Sequence, residues 1–568
     1  MKIDTKKPKI DSQIVSQTEK KNDLSSATEP LGRRRFMDEG IQLIKKRKYG
    51  EFWQQYCGYI DFSIKEIMDI QKNLLLKQLP LLNNSELGKS IMRGATPKTI
   101  EEFRSQVPLT TYADYAKFLL DRREDVLPAK PLLWGHTSGR TGEYDYKWCP
   151  ITSEVWEEVE RLSFAMFTFS SCKRRGDVRM RLNDKILYGA APVPYMTGLL
   201  ARYAWSRIFD YLPSIDDAEK MSFQERGKQG ILQALTKGID FYQALPSVMV
   251  TVGARMGQGG GKKDIKALLR NPRFAARILK GVIKSKLAHR PMLPKDVWSP
   301  KGLVLGGSDG SVYQERIREM WGRSPLDLYA STEAMVIAMQ TWDYEALTFY
   351  PYFNFFEFIP EEDYAQTKID SSFKPRALLL DEVEAGQNYQ LVLTNFNGGP
   401  FTRYILGDMV KITALRNEKL NIDIPQMVYH SRVDDMIDIA GFTRLTETVI
   451  WKSLEQSGIA YEDWTARKEI TDKPILKLYI EMKGNGEHLP EQIADLVHER
   501  LVEMDKPYAE LVAHLGLKPL EVTMVPSGAF SNYMLEQMKA GVELGRLKPS
   551  HINPSDKVVA SLLNESAN

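Results

Sequence analysis

KGLVLGGSDGSVYQERIREMWGRSPLDLYASTE, residues 301–333, breaks into three pieces that set the fold class. KGLVLGG (301–307) is a short apolar run that ends in glycines, the pattern of a buried strand. DGSVYQERIREMWG (309–322) reads as an amphipathic helix with a glycine stop, since Val312, Ile317 and Met320 can share one face. PLDLYASTE (325–333) is a second strand that ends in a polar turn. Strand, helix and strand in succession predict an α/β sheet, in which ligands sit at the carboxyl ends of strands.

Downstream, NYQLVLTNFNGG (388–399) alternates like a strand and closes in a turn, with FTRYILGDMVKIT (401–413) as its hairpin partner. After SRVDDMIDIAGF (431–442) the pattern changes to a helix near 445–457, a strand near 475–482 and a helix at 489–505, which places a domain boundary near residue 433. Upstream, helical patterns dominate from about Arg33 to Leu120, and Thr99 with Glu102 predicts a capping box. Residues 1–32, rich in Lys, Ser, Thr and Asp, read as a disordered tail.

Bulk properties narrow the function. The chain has 568 residues, 43% apolar and 27% charged, which suits a large domain plus a small one. A net charge of +3 with no long basic face argues against a nucleic-acid partner. The three cysteines, Cys57, Cys149 and Cys172, lie far apart without a CxxC pair, which fits a reducing cytoplasm. The seven histidines have no metal-ligand spacing. The most apolar stretch, residues 187–205, is broken by two prolines, two glycines and Arg202, so no membrane span is expected.

Four stretches can carry chemistry. WGHTSGRTGEYDYK (134–147) clusters Thr, Ser and Gly, so it is either a polar surface turn or a loop whose N–H and hydroxyl groups cradle phosphate. It is not a Walker A loop, and neither is GQGGGKKD (257–264), which reads as a flexible basic loop. YASTE (329–333) offers an aromatic ring for a purine, a hydroxyl for a phosphate and a hard carboxylate for magnesium, or simply ends a strand and caps the next element. Asp408, after Gly407, can accept from ribose hydroxyls or bond its own turn. Arg432 and Asp434 stand at the proposed boundary, where a surface ion pair is the plain alternative.

The order and spacing of these four resemble the acyl-adenylate-forming superfamily, with its TSGTTG-like loop, aromatic-x-x-T-E motif, Gly-Asp and R-x-D hinge. Within it, VPLTTYADY (107–115), FNFFEFIP (353–360), EAGQNYQLVLTNFNGGPFTRYILGD (384–408) and ELGRLKPSHINP (543–554) look most like the auxin-responsive acyl-acid amido synthetase family and its bacterial relatives. The family's Tyr-Arg-Tyr-Arg before Gly-Asp is reduced here to Thr402, Arg403, Tyr404 and Ile405. Arg140 replaces a small hydroxyl residue of the loop.

The resemblance implies an α/β fold: an N-terminal adenylation domain with mixed sheets and helices over 33–432, and a small mobile α/β lid over 433–568. It implies ATP and Mg²⁺, activation of a carboxylic acid as acyl-AMP, and transfer to an amine such as an amino acid. A CoA ligase is the alternative, and a nucleotide-binding scaffold without catalysis is a third reading. By the same resemblance Thr137, Ser138, Gly139, Thr141 and Gly142 would cradle the β- and γ-phosphates, and Gly306, Gly307, Ser308 and Tyr329 would border the adenine. Thr332 would contact the α-phosphate, Glu333 would help hold magnesium, and Asp408 and Arg432 would grip the ribose. Asp434 would be the hinge, and Lys548 the mobile catalytic lysine, with Lys539 as the other candidate. GAAPVPYMTG (189–198) and LPSVMV (245–250) either line the acid pocket or pack the core, and His136 is expected in a loop near the pocket, not acting as a base.

Overall fold

The computed structural model describes residues 35–563 apart from 138–146, 190–192, 222, 258–270, 307–309, 371, 433–435, 441–442, 472, 485–488, 516–517 and 540–548. The N-terminal helical region contains, among others, helices Arg35–Lys45, Ile64–Asn84, Ile100–Gln106 and Tyr112–Leu119. The capping box forms as predicted. The Glu102 N–H donates to Thr99 Oγ1 at 3.1 Å, and the Thr99 N–H to Glu102 Oε2 at 3.3 Å. Two otherwise orphaned helix-start donors are thereby satisfied.

Three sheets build the body. Strands β1 (Pro131–His136) and β2 (Trp148–Thr152) form an antiparallel pair. Strands β3 (Asp184–Tyr188), β4 (Phe209–Leu212), β5 (Phe241–Ala244) and β6 (Gly302–Leu305) form a parallel sheet in the order β4-β3-β5-β6. Every residue of β5 and β6 is buried, as expected of parallel strands covered on both faces. The third sheet is antiparallel. It contains β7 (Leu328–Ser331), β8 (Met335–Met339), β9 (Leu347–Phe349), β10 (Asn354–Pro360), β11 (Asn388–Asn395), β12 (Tyr404–Ala414) and β13 (Gln426–Arg432), in the order β10-β11-β12-β13-β9-β8-β7.

One expectation is corrected here. β6, the helix Gly310–Trp321 and β7 occur in the predicted order, but the two strands do not share a sheet. β6 is the edge of the parallel sheet and β7 the edge of the antiparallel one, and an isolated parallel bridge, Val304 to Leu326, pairs β6 with the residues just before β7. The chain changes sheets because β7 takes its ladder from β8, the next strand in sequence. The predicted hairpin of β11 and β12 is present.

Arg403 fastens the N-terminal helices to this sheet. It is buried and forks onto Glu357 with two bonds of 2.9 Å, while Nη1 donates to the carbonyls of Arg104 and Val107 at 2.7 Å each. Such a bidentate pair satisfies a buried guanidinium. The arginine left over from the family's Tyr-Arg-Tyr-Arg pattern is therefore a fastening of the core.

Past β13 a separate hydrophobic cluster runs from Ile437 to Ile552, with Leu245 of the body packed against it. It contains the hairpin of β14 (Met436–Ile439) and β15 (Thr443–Thr446), then a sheet of β16 (Tyr461–Ile470), β17 (Pro474–Met482) and β18 (Leu520–Met524). Helices Glu447–Ser457, Pro490–Met504 and Lys506–Leu515 accompany them. The last of these packs against body helices Phe223–Lys237 and Pro246–Gly257. No helix among the described residues is long and apolar enough to cross a membrane.

Candidate active site

The site collects at strand ends. The neck of the candidate phosphate loop is closed by its own backbone. The Thr137 N–H donates to the Lys147 carbonyl at 3.1 Å, and the Lys147 N–H to Thr137 Oγ1 at 3.2 Å. Ser138, Gly139, Thr141 and Gly142 lie outside the described residues, as does Arg140. The neck sits beside the second motif, because a Cβ on Gly135 would lie 3.6 Å from Thr332 Cγ2.

Thr332 and Glu333 occupy the turn between β7 and β8. Asn395 Nδ2 donates to the Glu333 carbonyl at 3.0 Å, and Asn354 Nδ2 to the Ala334 carbonyl at 2.7 Å. Two buried amides from neighbouring strands thus hold the turn in place. The Glu333 side chain is 3% exposed, and its Oε1 lies 3.4 Å from Lys147 Nζ. Lys147 Nζ also donates to Tyr404 Oη at 3.1 Å, and Tyr404 Oη in turn donates to Glu333 Oε1 at 3.5 Å. Lys147 thus sets an opposite charge beside a buried carboxylate. Nearby, burial and the Glu333 charge push the Cys149 thiol well above its usual range, so it is no nucleophile.

Asp408 does not stand in a simple turn. In the ladder of β11 and β12, Gln390 pairs with Met409 and Val392 with Ile405, so β12 bulges at residues 406–408. Gly407 has φ +84°, a left-handed conformation that glycine adopts without cost. The bulge aims Asp408 across the sheet at Tyr329, whose hydroxyl donates to Asp408 Oδ2 at 2.6 Å. Asp408 also pairs in register with Arg432 on β13.

Gly306 follows β6 directly, and its N–H donates to the Ala244 carbonyl at 3.3 Å. Gly307, Ser308, Asp434 and Lys548 lie outside the described residues. Lys539 ends the helix Ala529–Lys539. Of LPSVMV, Met249 and Val250 are buried in the core of the parallel sheet, so packing accounts for them. His136 corrects a second expectation: it is the final residue of β1, not a loop residue. The ladder with Trp148 and a parallel bridge to Tyr195 hold it there.

Three participants were missed from sequence. Lys147 stood at the end of the quoted loop, and the signal overlooked was a lysine directly before an apolar strand. Tyr404 and Asn395 gave no local sign, since both act through partners far along the chain.

Models of three domains of the GH3 family match the chain: the N-terminal domain at 58–196, the central domain at 347–432 and the C-terminal domain at 446–557. A jasmonoyl–L-amino acid synthetase of Oryza sativa subsp. japonica is 21% identical over 576 residues, covering 90% of this chain and 97% of that protein. A 4-substituted benzoates–glutamate ligase of Arabidopsis thaliana is 26% identical over 234 residues, 38% of each chain. The solved 2-hydroxyisobutyryl-CoA ligase has a similar fold, with a TM-score of 0.51 at 14% identity over 80% of this chain and 86% of that one.

Proposed function

The chain belongs to the GH3 family, and on that premise we propose that it activates a carboxylic acid with ATP as an acyl-AMP and transfers the acyl group to the amine of an amino acid. The observation that carries this reading is the convergence of Thr137, Thr332 and Glu333, with Tyr329 and Asp408 at the other end of the same short strand.

In the first half-reaction a substrate carboxylate oxygen attacks the α-phosphorus. The new O–P bond forms as the bond to the β-phosphate oxygen breaks and pyrophosphate leaves. Asp408, oriented by Tyr329, would accept from the ribose hydroxyls, and Arg432 would donate to their oxygens. Gly306, Gly307, Ser308 and Tyr329 would border the adenine. Thr332 would donate to the α-phosphate, and Thr137 with the loop beyond it would cradle the β- and γ-phosphates. Charge develops on the phosphate oxygens, so prepositioned donors act most strongly in the transition state.

The donor set suits a magnesium ion brought in on the polyphosphate. Magnesium takes one or two carboxylates and leaves its other positions to phosphate and water, and Glu333 is one buried hard carboxylate. When bound it would neutralise phosphate charge, while Lys147 and Tyr404 hold the Glu333 carboxylate in place. Asp434 would be the hinge that lets the lid bring Lys548 to the α-phosphate and then withdraw it. The three buried free thiols suit a cytoplasmic setting.

The test is a screen of acids by ATP–pyrophosphate exchange, including the jasmonate, indole-3-acetate and benzoate types after which relatives are named. Mass spectrometry of reactions offered both amino acids and CoA follows. An amide product supports the reading; a thioester replaces it with the CoA-ligase alternative.

A further inference from the structure

Helix Pro272–Leu287 carries apolar side chains on both its inner and its outer face. Asn271 caps its start, the side-chain oxygen accepting from the Arg273 and Phe274 N–H groups at 3.1 and 3.4 Å. The inner face is fixed to the body. Phe274 and Ser285 are buried, and Arg277 Nη1 donates to the carbonyls of Leu235 and Thr236 at 2.8 and 2.7 Å. Gly281 permits the closest approach, since a Cβ there would lie 2.8 Å from Met292 Sδ and 3.0 Å from Val297 Cγ2. With this face committed, the helix cannot roll to bury the other.

On the outer face Leu279, Ile283 and Leu287, each four residues after the last, are 61%, 50% and 76% exposed. At 3.6 residues per turn, Arg273, Lys280 and Lys284 flank this stripe on one side and Lys286 on the other. Segment 272–290 holds six Lys and Arg residues and no Asp or Glu. Two of the six are turned to the body, Arg277 to its carbonyls and Arg290 to Asp296 at 2.7 and 2.8 Å. Arg273, Lys280, Lys284 and Lys286 are exposed, and among the described residues none of them forms an ion pair.

We infer that this face docks on an anionic lipid bilayer, with Leu279, Ile283 and Leu287 inserted below the head groups and the flanking cations held among the lipid phosphates. The inference is independent of the amide-forming reading. An aliphatic stripe between cations suits such an interface, because the apolar tips leave water while the long lysine stems let their ammonium groups stay at head-group level. With 16 residues the helix is too short to span a bilayer, and its inner face stays on the protein, so it lies along the surface.

Charge and area choose the bilayer over other occupants. A second copy meeting this face about a twofold axis would set these cations against the same cations, with no carboxylate on the helix to offset them. An acidic protein would match the charge. Yet three aliphatic side chains in one row are few beside the roughly 20–30 residues a side that a stable protein interface uses. A fluid bilayer needs no complementary shape. Inserted aliphatic groups and basic side chains are the two attractions that hold a helix at an anionic surface.

The experiment is co-sedimentation of the full chain with phosphatidylcholine vesicles, with and without about 30% phosphatidylserine to supply the anionic surface. The chain should bind the anionic vesicles, and less tightly as salt is added. Leu279→Ser, Ile283→Ser and Leu287→Ser together should weaken binding by about tenfold or more, since the inserted side chains no longer leave water. Lys280→Gln, Lys284→Gln and Lys286→Gln together should weaken it by about a hundredfold, at roughly fivefold per cation, and remove the preference for phosphatidylserine. Unchanged urea midpoints establish that the variants are folded, and should one fail, the other decides. No binding of the wild-type chain to anionic vesicles, or wild-type binding by either folded variant, overturns the inference. A wild-type dimer in sedimentation velocity that the serine variant dissociates overturns it in favour of a second copy. Binding to poly-glutamate that is tighter than to the vesicles, and lost in the serine variant, overturns it in favour of an acidic protein.

Discussion

The Tyr329 hydroxyl donates to Asp408 Oδ2 at 2.6 Å, joining the edge strand of the antiparallel sheet to the bulge in β12. The carboxylate is thereby aimed before any nucleotide arrives. Tyr329→Phe should slow pyrophosphate exchange by roughly tenfold, since a hydrogen bond to a charged group contributes about 1.5–3 kcal/mol. Asp408→Ala should abolish exchange while the protein stays folded. Exchange at the wild-type rate in Tyr329→Phe would show that the hydroxyl does not orient the site.

Lys147 and Glu333 should behave as a unit. Both side chains are almost fully buried, so Lys147→Met strands a charge and should cost about 3–5 kcal/mol of stability. Adding Glu333→Gln should recover most of that stability and none of the exchange activity. Urea unfolding midpoints of the single and double variants measure the first effect, and exchange measures the second. Full stability in Lys147→Met would mean that the pair contributes little.

Arg403 and Glu357 form the contrasting case of a buried pair with no catalytic part. Glu357→Leu should lower stability by about 3–5 kcal/mol, because the buried guanidinium loses the carboxylate on which it forks. The turnover of the remaining folded enzyme should change less than twofold, a small effect on the scale of about 1.4 kcal/mol per tenfold in rate. A drop in turnover per folded molecule would place Arg403 in the site after all.

The lid gives a kinetic prediction. Proline fixes φ near −65° and restrains the residue before it, so Asp434→Pro should trap one lid pose and harm one half-reaction far more than the other. Lys548→Ala should damage adenylation and spare transfer from supplied acyl-AMP. Measuring the two half-reactions separately decides both. Equal slowing in Asp434→Pro, or normal adenylation in Lys548→Ala, removes these residues from the assigned roles.

His551 should make the stability of the C-terminal domain depend on pH. Its Nε2 meets Asp463 Oδ1 at 2.9 Å, its Nδ1 meets Glu447 Oε1 at 2.6 Å, and it stacks on Trp464 with centroids 4.6 Å apart. The Asp463 bond raises its pKa, burial opposes, and Glu447 adds to the rise. A raised folded-state pKa contributes stability that is complete below the unfolded value, about 6.5, and lost as pH rises through the folded value. Hydrogen exchange in segment 461–470 should therefore quicken as pH rises through that window, beyond the intrinsic rate, and His551→Gln should remove the dependence. An unchanged profile in the variant would exclude His551 as its source.

Much of the fold was legible because its signals are local. The Thr99 capping box needs only four consecutive residues, and the β11–β12 hairpin is written in alternation and a turn. The helix and strand after residue 440 follow the same logic. What failed was the joining of elements. β6 and β7 look like neighbours in one sheet, yet β7 pairs with β8 because hydrogen-bond partners are chosen by the whole sheet. His136 looked like a loop residue because its strand is short and its partners, Trp148 and Tyr195, lie beyond the loop.

By itself the sequence determined the succession of helices and strands, the place where the helical and strand pattern changes, and the residue types able to hold a nucleotide, since periodicity, capping and motif spacing act over short stretches of chain. Only the tertiary structure decided which of those residues work together. Tyr329 meets Asp408 from 79 residues away, Tyr404 meets Glu333 from 71, and Tyr195 meets Glu510 from 315. Such pairs depend on sheet register, on a bulge of two extra residues and on how the lid seats against the body. None of these is encoded by a local pattern, because each is a balance of packing over the whole molecule.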